Sequence, residues 1–190
     1  MDISENCVNK IKNNLKKYNI PENIIIAELS DGLLCFNDKK YDFSELTDII
    51  IAGMGGENIA DIIYNIDEKE NIENINFILQ PNSKTEILRK FLYYNKFDIV
   101  DEIIVEDKHR IYNILQVKFT GEIYIPEMSE IVAGKNITHK GYITKVIRRL
   151  ESILVDLDKK DDEKYNTETE FGYYNDIENL IAELERKKLW

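Results

Sequence analysis

The chain has 190 residues, a formal net charge of -11 and 43% hydrophobic residues, which allows one sizeable core plus an appendage and excludes disorder of the whole chain. Such acidity argues against a general nucleic-acid binder, whose affinity comes from Lys and Arg neutralising phosphates, but it leaves room for a local basic surface. Cys7 and Cys35 lack metal-type spacing, and neither a signal-peptide core nor an apolar run of the ~20 residues that span a membrane occurs, so free thiols and a cytoplasmic location are expected.

Ser4 to Tyr18 predicts a helix, with Ser4 as its cap, Glu5 at its positive end, and Val8, Ile11 and Leu15 on one stripe. Pro21 stops it. Ile24 to Ala27 predicts a short strand, Asp31-Gly32 a turn, and Phe36 to Leu46 a loop. Ile49, Ile50 and Ile51 within Asp48 to Ala52 predict a strand buried on both faces, as in a parallel sheet covered by helices. That strand runs straight into Gly53-Met54-Gly55-Gly56, and a helix from Asn58 to Ile66 follows. Glycines there let the backbone turn sharply and approach a ligand closely. Ligands of open α/β sheets sit beyond the carboxyl ends of the strands, so function should be sought at this junction first.

Asn76 to Gln80 predicts the next buried strand, closed by Pro81, and Lys84 to Tyr94 its helix, with Ile87, Leu88 and Phe91 facing inward. Alternating strands and helices make this an α/β chain. Phe97 to Val105 and Ile111 to Phe119 flank the polar turn Glu106 to Arg110, an antiparallel hairpin. From Gly141 the period turns helical, with Ile143, Val146, Ile147, Leu150, Ile153, Leu154 and Leu157 in register. Ile177, Leu180, Ile181 and Leu184 repeat the stripe after an acidic loop holding Asp161, Asp162 and Glu163, so two helices should cover each other as an antiparallel hairpin. A boundary between Pro126 and Lys140 divides a domain of residues 1–125 from a helical one of 126–190.

Taken in order, Asp31-Gly32-Leu33, Ile51-Ala52-Gly53-Met54-Gly55-Gly56, Leu79-Gln80-Pro81-Asn82 and the hairpin resemble the bacterial tRNA (adenine-N1)-methyltransferases that act on adenine 22. The resemblance implies a Rossmann-like class I methyltransferase sheet, S-adenosylmethionine as cofactor, tRNA as partner and a small helical C-terminal domain. Met1-Asp2-Ile3 resembles the end of that family's second strand, so the first strand and the loop holding the methionine part of the cofactor are expected to be missing. The sheet is then N-terminally truncated, with its middle left open and transfer by this chain alone impaired.

The same resemblance implies roles for individual residues. Asp2 and Ile3 would border the ribose, Asp31 and Gly32 the adenine, and Ala52 and Gly53 the rest of the cofactor. Gly53, Met54, Gly55 and Gly56, with Pro81 and Asn82, would border the reactive methyl and the incoming base. Asn82 reads equally as a cap for the helix that follows, Asp2 as a helix cap and Asp31-Gly32 as a plain turn. Lys135, Lys140, Lys145, Arg148 and Arg149, with His139, form a basic run without an intervening acid and are assigned to the tRNA backbone, the competing reading being a solvated face. His109 and His139 read as turn and surface residues, and Lys10, Lys12, Lys16 and Lys17 as helix surface. No metal site is expected. Two other readings compete: a non-catalytic remnant acting as a binding module, and a dinucleotide-binding protein. The second has Asn58 where G-x-G-x-x-G needs its third glycine.

Overall fold

The computed structural model describes residues 1–21, 23–37, 41, 45–66, 72–158 and 168–189, with backbone alone at 158 and 168–173. Helix α1 (Glu5–Lys17) and the short α2 (Leu34–Asn37) precede strand β1 (Asp48–Gly55) and helix α3 (Gly56–Tyr64). Strand β2 (Asn76–Ser83) and helix α4 (Thr85–Tyr94) come next, then the hairpin of β3 (Phe97–Asp107) and β4 (Arg110–Phe119). Helices α5 (Met128–Val132), α6 (Lys140–Asp158) and α7 (Glu168–Lys188) complete the order.

The four strands form one sheet in the order β1-β2-β4-β3, with β1 and β2 parallel and the hairpin added antiparallel. This is the parallel sheet finished by an antiparallel hairpin that the sequence pattern predicts, and the Rossmann-like arrangement that the resemblance implies. Lys108 and His109 both have positive φ, 45° and 68°, as a two-residue hairpin turn requires. Alternate residues Ile49, Ile51, Phe77, Leu79, Leu115 and Val117 point to one face and share a core with Ile59 and Ile63 of α3 and Leu88 and Leu92 of α4. Phe77 and Phe97 meet edge to face at 5.6 Å, a geometry that aligns the ring edge of one with the electron-rich face of the other.

The strand buried on both faces is corrected here. Ile50 is 71% exposed, because the period of two turns it away from α3 and α4, and β1 is the sheet's edge. The predicted strand at Ile24 to Ala27 is also absent: the amides of Ile24 and Ile25 turn back onto the carbonyl of Pro21. Only Leu29 pairs, in an isolated parallel bridge with Asp2. Strand β2 does not end at Pro81 but continues to Ser83, with Pro81 opposite Met54. Helix α4 buries Leu88, Arg89, Leu92 and Tyr93, while Ile87 is exposed. The first helix is as expected, Ser4 Oγ accepting from the Cys7 amide at 3.4 Å with Val8 and Leu15 buried, though Ile11 sits at its exposed margin.

A second core joins Ala133, Ile137, Tyr142, Ile143 and Leu150 to Ile177, Leu180 and Leu184, and Ile104 and Ile111 of the β3–β4 hairpin close its edge. Helix α5 meets the start of α6 and the second half of α7, so α6 and α7 run in opposite directions. The acidic loop at Asp161, Asp162 and Glu163 lies outside the described residues. No described helix is long and apolar enough to cross a membrane.

Candidate active site

The ladder between β1 and β2 breaks on both sides of Met54, and Gly53 takes up the extra residue with φ +82°, a conformation that costs a residue with a Cβ. Two side chains of β2 then hold the Gly53 peptide. Its N–H donates to Gln80 Oε1 at 3.0 Å, and Asn82 Nδ2 donates to its carbonyl at 2.8 Å. Gln80 Nε2 in turn donates to Asn82 Oδ1 at 3.1 Å and to the Pro81 carbonyl at 3.2 Å. Asn82 therefore braces the glycine loop, and the cap position of α4 belongs to Lys84. Gln80 was not singled out from sequence; only its place beside Pro81 hinted at it.

The remaining two glycines differ in what they do. A Cβ on Gly56 would stand 2.3 Å from the Lys84 carbonyl, so the start of α3 can lie against the turn before α4 only without a side chain. A Cβ on Gly55 would make nothing closer than an ordinary 3.5 Å contact with Ser83 Oγ. Gly55 thus leaves space at the strand end that the fold itself does not fill.

On one side of this loop runs a groove of about 590 Å³ beside the free edge of β1, within the size range of small-molecule sites. Asp2, Ile3, Asp31, Gly32, Ala52 and Gly53 all line it, together with Met54 and Ile50. Asp2 Oδ1 accepts from the Ser4 amide at 2.8 Å, a side-chain turn just ahead of the cap, which is Ser4 itself, and its second oxygen carries no such bond among the described residues. The charged side chains of the lining are Asp2, Asp31 and Asp48, beside the α-ammonium of Met1, and no described Lys, Arg or His side chain joins them. Carboxylates accept hydrogen bonds from hydroxyl and amino groups and repel phosphate. The groove therefore suits a cationic or neutral nucleoside and is hostile to a pyrophosphate.

On the other side lies a cleft of about 340 Å³ between Pro81, Asn82 and Thr85 and the helix α6 residues Tyr142, Lys145 and Arg149. Arg149 Nη1 bonds Glu86 Oε1 at 2.9 Å, and Lys84 pairs with Glu57. The predicted basic run is not one patch. Lys145 and Arg149 face the cleft, Arg148 and Lys140 point elsewhere into solvent, and Lys135 Nζ sits 5.0 Å above the ring of Tyr124. His139 is no free surface residue: its Nδ1 accepts from the Tyr142 amide at 3.1 Å and so caps α6.

A parallel pair ending in a glycine bulge, with ligand-sized cavities at its carboxyl end, defines a Rossmann-like α/β domain. Residues 1–115 match the family described as "Methyltransferase domain", and the chain belongs to that family. It is similar to the tRNA (adenine(22)-N(1))-methyltransferase of Bacillus subtilis, 37% identical over 67 residues that make up 35% of this chain and 28% of that protein. A relative from Mycoplasma genitalium is 45% identical over 69 residues, 36% of this chain and 30% of the relative. The matched segments thus cover less than a third of the length of these curated relatives. In fold it is similar to the crystal structure of the B. subtilis M1A22 tRNA methyltransferase TrmK, with a TM-score of 0.71, 22% identity, and coverage of 98% of this chain and 79% of that one. It is also similar to M. capricolum TrmK in complex with S-adenosyl-homocysteine, with a TM-score of 0.66, 21% identity, and coverage of 97% and 77%.

Proposed function

We propose that this chain carries the site for methyl transfer from S-adenosylmethionine to N1 of an adenine in tRNA. One observation carries the reading: the clamped Gly53 loop separates a groove whose charged side chains are all carboxylates from a cleft bearing Lys145 and Arg149. S-adenosylmethionine supplies an electrophilic methyl on a sulfonium, and its positive charge and hydroxyl donors suit Asp2 and Asp31. Ile3, Gly32 and Ala52 would shape the same groove, while Gly53, Met54, Gly55 and Gly56 bring backbone to its end. Pro81 and Asn82 stand on the RNA side of the loop. The name of the B. subtilis relative supports the reaction and the substrate, and the S-adenosyl-homocysteine held by M. capricolum TrmK supports the cofactor.

Adenine N1 is unprotonated at neutral pH, so no strong general base is needed. Holding nucleophile and methyl in line near ~3 Å supplies most of the effect. The target base must leave its stack to reach the loop, and Lys145 and Arg149 would hold the flanking backbone, with Arg148, Lys140 and Lys135 farther along the strand. Incubating the chain with S-adenosylmethionine and unmodified tRNA should yield 1-methyladenosine by nucleoside mass spectrometry. Calorimetry should show saturable binding of S-adenosylmethionine and none of NAD. Tight NAD binding would overturn the reading of the acidic groove.

A second reading, a binding module without catalysis, is favoured by the free edge of β1, where Ile50 and Ile3 are 71% and 70% exposed. Unpaired edges of this kind recruit other strands. Absence of any S-adenosylmethionine binding, with the chain folded, would favour it.

A further inference from the structure

Arg89 is a charged residue on the buried face of α4, 0% exposed, and none of its five N–H donors is idle. Nε and Nη2 donate to Glu102 Oε2 and Oε1 at 3.0 and 2.6 Å. Nη1 donates to the carbonyls of Ile131 and Val132 at 2.9 and 3.1 Å. The last donor of Nη2 reaches the Tyr142 hydroxyl at 2.9 Å. Glu102 is itself fully buried and accepts from Asn113 Nδ2 at 2.8 Å. One guanidinium thus ties α4 and β3 to the end of α5 and the first turn of α6. The link between α5 and α6 closes tightly over it: a Cβ on Gly134, where φ is +93°, would stand 2.6 Å from Glu102 Oε2.

The position of this knot matters more than its strength, since well-packed apolar residues often replace a buried ion pair without loss of stability. Helix α4 starts directly after Pro81 and Asn82, and Tyr142 lines the same cleft as Lys145 and Arg149. Tyr142, Lys145 and Arg149 are spaced i, i+3 and i+7, so they share one face of α6. Fixing the Tyr142 hydroxyl therefore fixes the rotation of α6, and with it the direction in which both cations point.

We infer that Arg89 is a positioning residue, which through Glu102 and Tyr142 holds α6 in the one orientation that sets Lys145 and Arg149 opposite the Asn82 loop. The RNA part of this inference rests on the function proposed above; the orientation of α6 does not. A planar fork bonding two elements at once sets an angle, which a lysine in its place cannot do.

The test uses the full chain with spin labels at Lys118 on β4 and Glu151 on α6, and compares Tyr142→Phe, which removes one hydroxyl, with Arg89→Lys. Both variants should broaden the distance distribution between the labels. In tRNA methylation, KM for tRNA should rise several-fold while affinity for S-adenosylmethionine stays unchanged. The slope of log affinity for tRNA against log salt should flatten by about one for each phosphate that is no longer neutralised. Distributions as narrow as that of the unaltered chain, in both folded variants, would overturn the inference. So would an unchanged KM and salt slope in an active protein. Should the unaltered chain methylate no tRNA, the proposed function fails, and the distance distributions alone then decide whether Arg89 orients α6. If Arg89→Lys fails to fold, Tyr142→Phe carries the test.

Discussion

The junction around Arg89 and the groove beside β1 are built in opposite ways. At the junction every donor of a buried guanidinium is matched and neither side chain of the ion pair reaches water. In the groove two isoleucines stand about 70% exposed and three carboxylates line open space. Burial opposes the charge of Arg89, but the Glu102 carboxylate and the Tyr142 hydroxyl outweigh it and hold the guanidinium above its ordinary range. Among the described residues no such closure exists on the β1 side. The contrast teaches that this chain is closely bonded where two elements keep an angle and open where the proposed ligand would enter.

Breaking the junction should give the largest effect. Glu102→Ala leaves Arg89 charged and buried without its partner, and should cost about 3 to 5 kcal/mol in urea denaturation. Pairing Arg89→Met with Glu102→Leu should recover most of that, because the loss comes from an uncompensated charge rather than from missing attraction. The glycine loop sharpens the comparison. Gly56→Ala should cost about 1 to 3 kcal/mol, since its Cβ meets the Lys84 backbone. Gly55→Ala should change stability by less than about 0.5 kcal/mol, yet a bulky residue there, Gly55→Leu, should abolish methyl transfer in a chain that still melts normally. Retained transfer would remove Gly55 from the site.

Smaller still, Asn82→Ala should cost about 0.5 to 1.5 kcal/mol for its bond to Gly53, and should lower the transfer rate more than it lowers affinity for S-adenosylmethionine. The smallest effect is on the helical hairpin. The hydrogen bond from Lys187 holds the Glu183 carboxyl below its ordinary value. A lowered folded-state value means stability present above the usual carboxylate pKa of about 4.3 and lost as pH falls through the lowered one. Both side chains are more than a third exposed, so Lys187→Gln should remove only a few tenths of a kcal/mol at neutral pH. The two proteins should converge in acid, as measured by denaturation across that range.

Much of this was legible in the chain before any coordinates. The strand and glycine junction at Asp48 to Gly56, the strand before Pro81, the hairpin and the two apolar helical stripes all follow from local periodicity, which a folded neighbour strengthens but does not create. The pairing of Asp31-Gly32 with the glycine loop, as two walls of one groove, was suggested only by the resemblance. Gln80 as half of a clamp was not legible, because its partner amide lies on a strand 27 residues earlier. The division of the basic run was equally hidden, since which cations reach the cleft depends on how α6 is turned.

Residue order alone determined most of the strands and the long helices, because periods of two and of three to four residues are written in neighbouring positions. Only the tertiary structure decided that Ile50 faces water, that Ile24 to Ala27 finds no ladder partner, and that Arg89 is buried with five bonds. An apolar run records only a tendency to be covered, and a lone arginine only a charge. What covers the one and neutralises the other is supplied by segments distant in sequence, and the chain brings them together only when it folds.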